Sequence, residues 1–258
     1  MRDQDRAMTR TTTRDDGGAP AVDVCGLSFR YGPGGELALR DATLAVQPGW
    51  RVLIVGANGA GKTTLLRVVA GKHMVDAEAV RVLGRPAFDD TSLADEVELL
   101  GGPFAFREDV RVGALVDGVL GVDPDRRDRL IRVLGVDVDW RMHRVSDGQR
   151  RRVQVLLGLL RPSRVLLLDE VTTDLDVVAR YDLLAFLREE SERHGTAILY
   201  ATHIFDGLEA WATHLAYVRA GRVARFAPME SIDELRAARA AGTPAPLVGV
   251  VLDWLRAE

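Results

Sequence analysis

The amino-acid sequence predicts an α/β fold: a mostly parallel sheet layered with helices, an antiparallel β part and a small helical part. Three observations predict it. Residues 52–55 are a short, continuous apolar run, as a strand buried on both faces would be, and 165–168 and 196–201 read as two more buried strands. Helical patterns separate these strands, which is the spacing of βα units. Hairpin-like pairs at the start and end of the ordered chain do not fit a purely parallel sheet and point to the antiparallel addition.

Each element follows from its local pattern. Residues 22–31 are rich in β-formers, with Leu27, Phe29 and Tyr31 at period two, and Gly32-Pro33-Gly34-Gly35 turns the chain into a returning strand at 37–46. After the Pro48-Gly49 turn and the strand 52–55 comes a glycine-rich loop, then a helix with Leu65, Leu66, Val69 and Ala70 along one face. Residues 79–83 read as a strand, and the remainder of 76–110 is mixed. Residues 111–135 alternate at helical spacing, as in Leu130, Val133 and Leu134, and 149–160 form a helix with Val153, Leu156, Leu157 and Leu160 on one side. A helix at 182–192 separates the second and third buried strands. Residues 215–218 and 222–226 make a hairpin around 219–221. A helix at 231–241 and a break at 242–246 precede a last helix at 247–256. Its stripe of Val248, Val251, Leu252 and Leu255 is expected to pack back onto the domain. The expected organisation is a tail at 1–21, one domain at 22–228 with its helical part at about 88–163, and a helical extension at 229–258.

Composition narrows the function. The chain has 258 residues, 47% apolar and 28% charged, enough for one large or two small domains and unlike a disordered chain. The formal charge is −4, so no direct nucleic-acid binding is expected. No apolar run approaches the roughly 18 residues needed to cross a bilayer. That excludes a single-chain channel and leaves open a partner subunit that spans the membrane. Arg and Asp are mixed through residues 1–20, which reads as neither a transit peptide nor a secretory signal, and a cytoplasmic location is expected. The single cysteine, Cys25, cannot form an intrachain disulfide and is expected to be a small buried residue. Only two of the 34 basic residues are lysines, Lys62 and Lys72, so a lysine here is an unusual choice.

One of them lies in the most informative motif. Gly56-Ala57-Asn58-Gly59-Ala60-Gly61-Lys62-Thr63 fits G-x-x-x-x-G-K-[ST] at every fixed position, after a buried strand and before a helix. Glycines let backbone N–H groups turn inward around phosphates, and the helix N-terminus adds its positive end. Lys62 would reach the β- and γ-phosphates and Thr63 would ligate Mg²⁺, with Thr64 next to it on the nucleotide. Downstream, the strand 165–168 delivers Asp169 and Glu170 at its C-terminal edge, where α/β sheets bind ligands. Asp169 is placed to hold Mg²⁺ and Glu170 to polarise an attacking water. Together these elements establish a P-loop nucleotide-binding protein with a Mg²⁺ site.

Val145-Ser146-Asp147-Gly148-Gln149, ahead of a helix, resembles the signature of ATP-binding cassette (ABC) ATPases. Asp174-Leu175-Asp176 resembles the D-loop of that family, His203 its switch histidine, and Tyr31 the aromatic that stacks on adenine. The likeness spans about residues 22–226 with the motifs in family order. Residues 140–143, 145–153 and 202–209 are similar to soluble, non-transporter members. These include a fungal factor associated with the mRNA deadenylase and transcription-regulator complex, and plant stand-alone cassettes.

The resemblance implies ATP as the nucleotide and a head-to-tail dimer of cassettes. In it, Ser146, Gly148 and Gln149 would meet the ATP bound to the partner, Asp176 would couple the two sites, Glu170 would activate water, and His203 would contact the γ-phosphate. Two departures stand out. Asp147 occupies a position usually held by glycine. It is expected to face outward, with Arg150, Arg151 and Arg152 on a solvated helix face nearby. The glutamine that transporter cassettes carry between the phosphate loop and the signature is absent, since the glutamines are Gln4, Gln47, Gln149 and Gln154. The stretch Leu99 to Phe104 occupies that region. The missing glutamine and the likeness to the non-transporter members favour a soluble ATPase acting on a protein partner over the energy-coupling subunit of a transporter. A role in translation or DNA maintenance fits less well, because such proteins usually carry two cassettes. His73, His143, His194 and His214 show no metal-ligand spacing, and Trp140 and Trp211 read as packing residues.

Overall fold

The computed structural model describes residues 18–102, 104, 106 and 108–257. The tail expected at 1–21 lies mostly outside them, as does Pro103. Ordered structure is in place by Ala21, which is buried and donates its N–H to Val46 O at 2.8 Å.

Strands β1 (Val22–Phe29) and β2 (Leu39–Val46) pair antiparallel, as the turn glycines between them require. With β4 (Val80–Val82) and the short β5 (Arg85–Pro86) they form an antiparallel sheet in the order β2-β1-β4-β5. The main sheet is built from β3 (Arg51–Val55), β6 (Val97–Gly101), β7 (Val165–Asp169), β8 (Ala197–Ala201), β9 (His214–Arg219) and β10 (Arg222–Pro228). Its order is β10-β9-β3-β8-β7-β6, and every pairing is parallel except the hairpin β9–β10.

The apolar runs explain why this sheet is central. Successive side chains along a strand point to opposite faces. Leu53 and Val55 enter one core and Val52 and Ile54 the other; Leu166 and Leu168 face one side and Val165 and Leu167 the other. Each of these side chains contributes about 1.5–3 kcal/mol by leaving water. One core is closed by α1 (Lys62–Val69) and the antiparallel sheet. The other takes α2 (Val112–Asp117), α3 (Pro124–Leu134), α4 (Asp147–Leu159), α5 (Val177–His194), α6 (Asp233–Ala240) and α7 (Pro246–Arg256).

Four expectations change. Residues 97–101, left inside a mixed stretch, are the edge strand β6. The helical pattern of 111–135 is two helices, because Gly118 to Asp123 break it and Asp123 starts α3 by capping Asp125 N at 2.9 Å. Cys25 is exposed rather than buried. The β1–β2 register shifts between Val24 and Leu27, and Gly26 has φ of 61°, so Cys25 and Gly26 both turn outward.

The extension does fold back as expected, but one residue of the expected stripe on α7 turns outward. Leu247, Val250 and Val251 are buried, while Leu252, from the expected stripe, is 43% exposed. The helix is seated by Tyr217 Oη on Trp254 O at 3.1 Å and by Leu247 N on Glu209 Oε2 at 3.0 Å. Trp211 is the packing residue expected, buried with its Nε1 on Leu184 O at 2.9 Å.

Candidate functional site

The loop between β3 and α1 turns as its glycines allow. Gly56 has φ of 152°, and a Cβ there would come within 2.1 Å of Val218 O. Gly61 has φ of 109°, and its Cβ would lie 2.7 Å from Ala38 O. Only glycine fits either position. Between them Asn58 and Gly59 are exposed, and Ala60 is buried and bonded to Gly221 N at 2.9 Å. Lys62 Nζ donates to Gly56 O at 2.8 Å and Ala57 O at 2.9 Å, so its ammonium lies over the loop it follows.

Thr63 and Asp169 meet at this loop. Thr63 Oγ1 donates to Asp169 Oδ1 at 3.1 Å. Burial pushes the Asp169 carboxyl above its ordinary pKa, and the hydrogen bond from Thr63 opposes this only in part. A buried carboxylate beside a hydroxyl is an all-oxygen pair suited to a hard cation that takes its other ligands from phosphate and water. Among the described residues there is no cluster of three or more His, Cys, Asp or Glu that could hold a metal by itself. Thr64 is buried, and its Oγ1 is 2.9 Å from Tyr31 Oη. The Tyr31 ring is 58% exposed and stands perpendicular to both Phe29 and His73, with centroids 5.2 and 5.3 Å away.

Glu170 follows β7 with φ of 54°, a left-handed conformation uncommon for a residue with a side chain. Its N–H donates to Ala201 O at 2.9 Å, holding it against the end of β8. The carboxylate has a partner on each oxygen. His203 Nδ1 lies 2.9 Å from Oε1, and Thr202 Oγ1 donates to Oε2 at 3.0 Å. The parallel register that pairs Asp169 with Ala201 brings these residues together. Sequence reasoning did not single out Thr202, and its adjacency to His203 was the available signal.

A second group surrounds the N-termini of α4 and α5. Ser146 caps α4: Gln149 N donates to Ser146 Oγ at 3.2 Å, and Ser146 N to Gln149 Oε1 at 2.9 Å. This reciprocal box leaves the helix start at the surface, with Ser146 exposed and Gly148 against Asp174 O. Asp176 caps α5 through Ala179 N at 2.9 Å and pairs with Arg152 Nη2 at 2.7 Å. The Ala179 N–H, followed by Arg152, holds its carboxyl below the usual range.

Asp147 faces outward as expected, but Arg150 is not on a solvated face. It is buried, with Nη1 2.6 Å from Asp147 Oδ1 and Nη2 directed at Met142 O and Val145 O. The i,i+3 spacing puts it under Asp147, so the negative charge replacing glycine carries its own counter-ion. Arg151 donates to Gly102 O at 2.8 Å, tying α4 to the end of β6.

Comparison with known proteins agrees with this geometry. The family model described as ABC transporter matches residues 39–173. An Arabidopsis thaliana protein, ABC transporter I family member 20, is 48% identical over 92% of this chain and 76% of its own length. CCR4-associated factor 16 of Saccharomyces cerevisiae is 41% identical over 79% of this chain and 77% of its own. Among solved structures, the ATP-binding subunit of an ABC transporter superposes with a TM-score of 0.75 at 21% identity, over 92% of this chain and 99% of that one. A dimeric ATP-binding cassette bound to ADP and phosphate superposes with a TM-score of 0.69 at 20% identity, over 81% and 98%. The phosphate loop, the acidic end of β7 and the capped start of α4 thus stand on the fold of these cassettes, and the chain belongs to the ABC transporter family of ATP-binding cassettes.

Proposed function

We propose that this chain is an ATPase that binds Mg-ATP at a head-to-tail interface between two cassettes and uses its hydrolysis to regulate a soluble protein partner in the cytoplasm. The observation that carries the ATPase reading is the placement of Glu170 and His203 at the strand ends beside the Thr63–Asp169 pair and the phosphate loop.

Backbone N–H groups of 56–61 and the start of α1 would surround the phosphates, with Lys62 turning from Gly56 O and Ala57 O towards the terminal ones. Thr64 would lie along the phosphates, and Tyr31 would stack its exposed ring on adenine. Thr63 and Asp169 would hold Mg²⁺, which supplies charge neutralisation for the phosphates. Glu170 would accept a proton from the attacking water, and His203 would turn to the γ-phosphate. Ser146, Gly148 and Gln149 would close on the nucleotide of the second copy, with the N-terminal end of α4 aimed at phosphate. Asp176 would connect the two sites.

The regulatory reading is supported by the likeness to the yeast CCR4-associated factor 16 and by the region between the phosphate loop and the signature. No glutamine stands there, and the Gly101 and Gly102 carbonyls receive Gln154 Nε2 and Arg151 Nη1 of α4 instead. Among the described residues no helix is long and apolar enough to cross a membrane.

The test compares wild type with Glu170→Gln. The variant is expected to lose about a hundredfold or more in turnover while still binding ATP, and to run as a dimer with ATP on size exclusion. Equal turnover would refute the assignment of Glu170, and a monomer under saturating ATP the interface. Capture of a membrane-spanning subunit by the ATP-loaded variant would overturn the regulatory reading in favour of transport.

A further inference from the structure

We propose that Thr202 is a positioning residue for hydrolysis: it fixes Glu170 Oε2 so that Oε1 alone is presented to the attacking water. The inference rests on the reading of Glu170 as the group that activates that water.

The two partners of the Glu170 carboxylate differ in their freedom. The His203 side chain is 65% exposed, so it can leave Oε1 without disturbing the core. Thr202 is 1% exposed and cannot move away. Its hydroxyl carries one proton. Ile204 N donates to Thr202 Oγ1 at 3.1 Å, which occupies a lone pair and leaves that proton for Glu170 Oε2, 3.0 Å away. Behind it, the buried Tyr200 phenol interacts with Thr202 and lies 2.6 Å from Thr172 Oγ1.

Glu170 also needs such a hold. Its backbone is in the left-handed region, so its direction is not set by an ordinary strand conformation. Glu170 N on Ala201 O and Thr173 Oγ1 on Glu170 O fix the peptide, and Thr202 fixes the carboxylate. When His203 turns to the nucleotide, Thr202 is the contact that remains. Oε1 then faces the water with its orientation already determined, which is the pre-organisation that hydrolysis requires.

The experiment measures steady-state hydrolysis and ATP binding for Thr202→Val and Thr202→Ser in the full chain, beside Glu170→Gln. Valine keeps the shape and removes the proton donor; serine keeps the donor. Thr202→Val is expected to lower kcat about tenfold or more with KM and ATP affinity unchanged, and Thr202→Ser to restore most of the rate. Thermal unfolding checks that each variant is folded. If Thr202→Val does not fold, Thr202→Ala, which introduces no clash, carries the same expectation. A wild-type rate in the valine or alanine variant, an equal loss in serine and valine, or a fall in affinity that accounts for the lost rate would overturn the proposal. Full activity in Glu170→Gln would instead remove the functional reading beneath it.

Discussion

His214 makes the stability of this protein dependent on mild acid. It opens β9, is 8% exposed and stacks on Trp50 with ring centroids 3.6 Å apart, and the Phe226 ring lies 5.7 Å away. Burial among these rings disfavours the imidazolium and lowers its pKa from 6.5 to about 4. The unfolded chain therefore binds a proton between those values that the folded chain refuses. Stability is complete above pH 6.5 and is lost as pH falls towards 4. The difference corresponds to about 2–3 kcal/mol once solvent at the ring edge is allowed for. His214→Phe preserves the stack and removes the titration. Urea unfolding of both proteins across this window isolates the histidine, because the other titrating groups cancel in the difference. The advantage of the phenylalanine variant should grow by that amount on acidification. A difference that stays flat with pH would refute the reasoning.

Two further outcomes follow from the geometry. Arg126 of α3 grips Glu190 of α5 with both guanidinium nitrogens, at 2.7 and 2.9 Å, and donates Nε to Leu159 O of α4. Arg126→Met should cost about 3–5 kcal/mol in urea unfolding by leaving a carboxylate buried alone, and adding Glu190→Leu should recover much of it. A single-variant loss below about 1 kcal/mol would show the pair to be dispensable. Asp169 titrates above the ordinary aspartate range, and it must be ionised to take a cation. Calorimetry should find Mg²⁺-dependent ATP binding weakening on acidification at a higher pH than protonation of an ordinary aspartate would give. The same loss in Asp169→Asn would assign the effect elsewhere.

The centre of the fold was legible because its signals are strong and local. The apolar runs of β3, β7 and β8 admit few readings, and the glycines at 56 and 61 are bound to a conformation that other residues cannot adopt. Thr63 and Asp169 were assigned to one site from the motifs and Tyr31 from the family resemblance, and the structure joins Thr63 to Asp169 and Tyr31 to Thr64 by hydrogen bonds. What escaped has physical reasons. Strand β6 is five residues with Glu98 inside, and only its pairing with β7 makes it a strand. Cys25 follows the period of a regular strand, and a bulge cannot be read from that period. Arg150 looked like one of three solvent-facing arginines, yet its place beneath Asp147 depends on the loop 142–145 that its guanidinium closes. Thr202 gains its significance only when β8 ends beside β7.

The parallel register of β6, β7 and β8 sets Gly101, Asp169 and Ala201 side by side. The carboxylates and their partners are therefore spaced by the hydrogen-bond lattice of the sheet rather than by loops. Central strands open with free energies near that of global unfolding, so β7 and β8 keep Asp169 and Ala201 at a fixed spacing in the folded protein. The capped start of α4 belongs to the helical layer, and α4 is tied to the end of β6 by Arg151 Nη1 on Gly102 O and Gln154 Nε2 on Gly101 O. The edge strand thus works as a splice between the two layers: whatever displaces α4 is felt first at Gly101, the neighbour of Asp169.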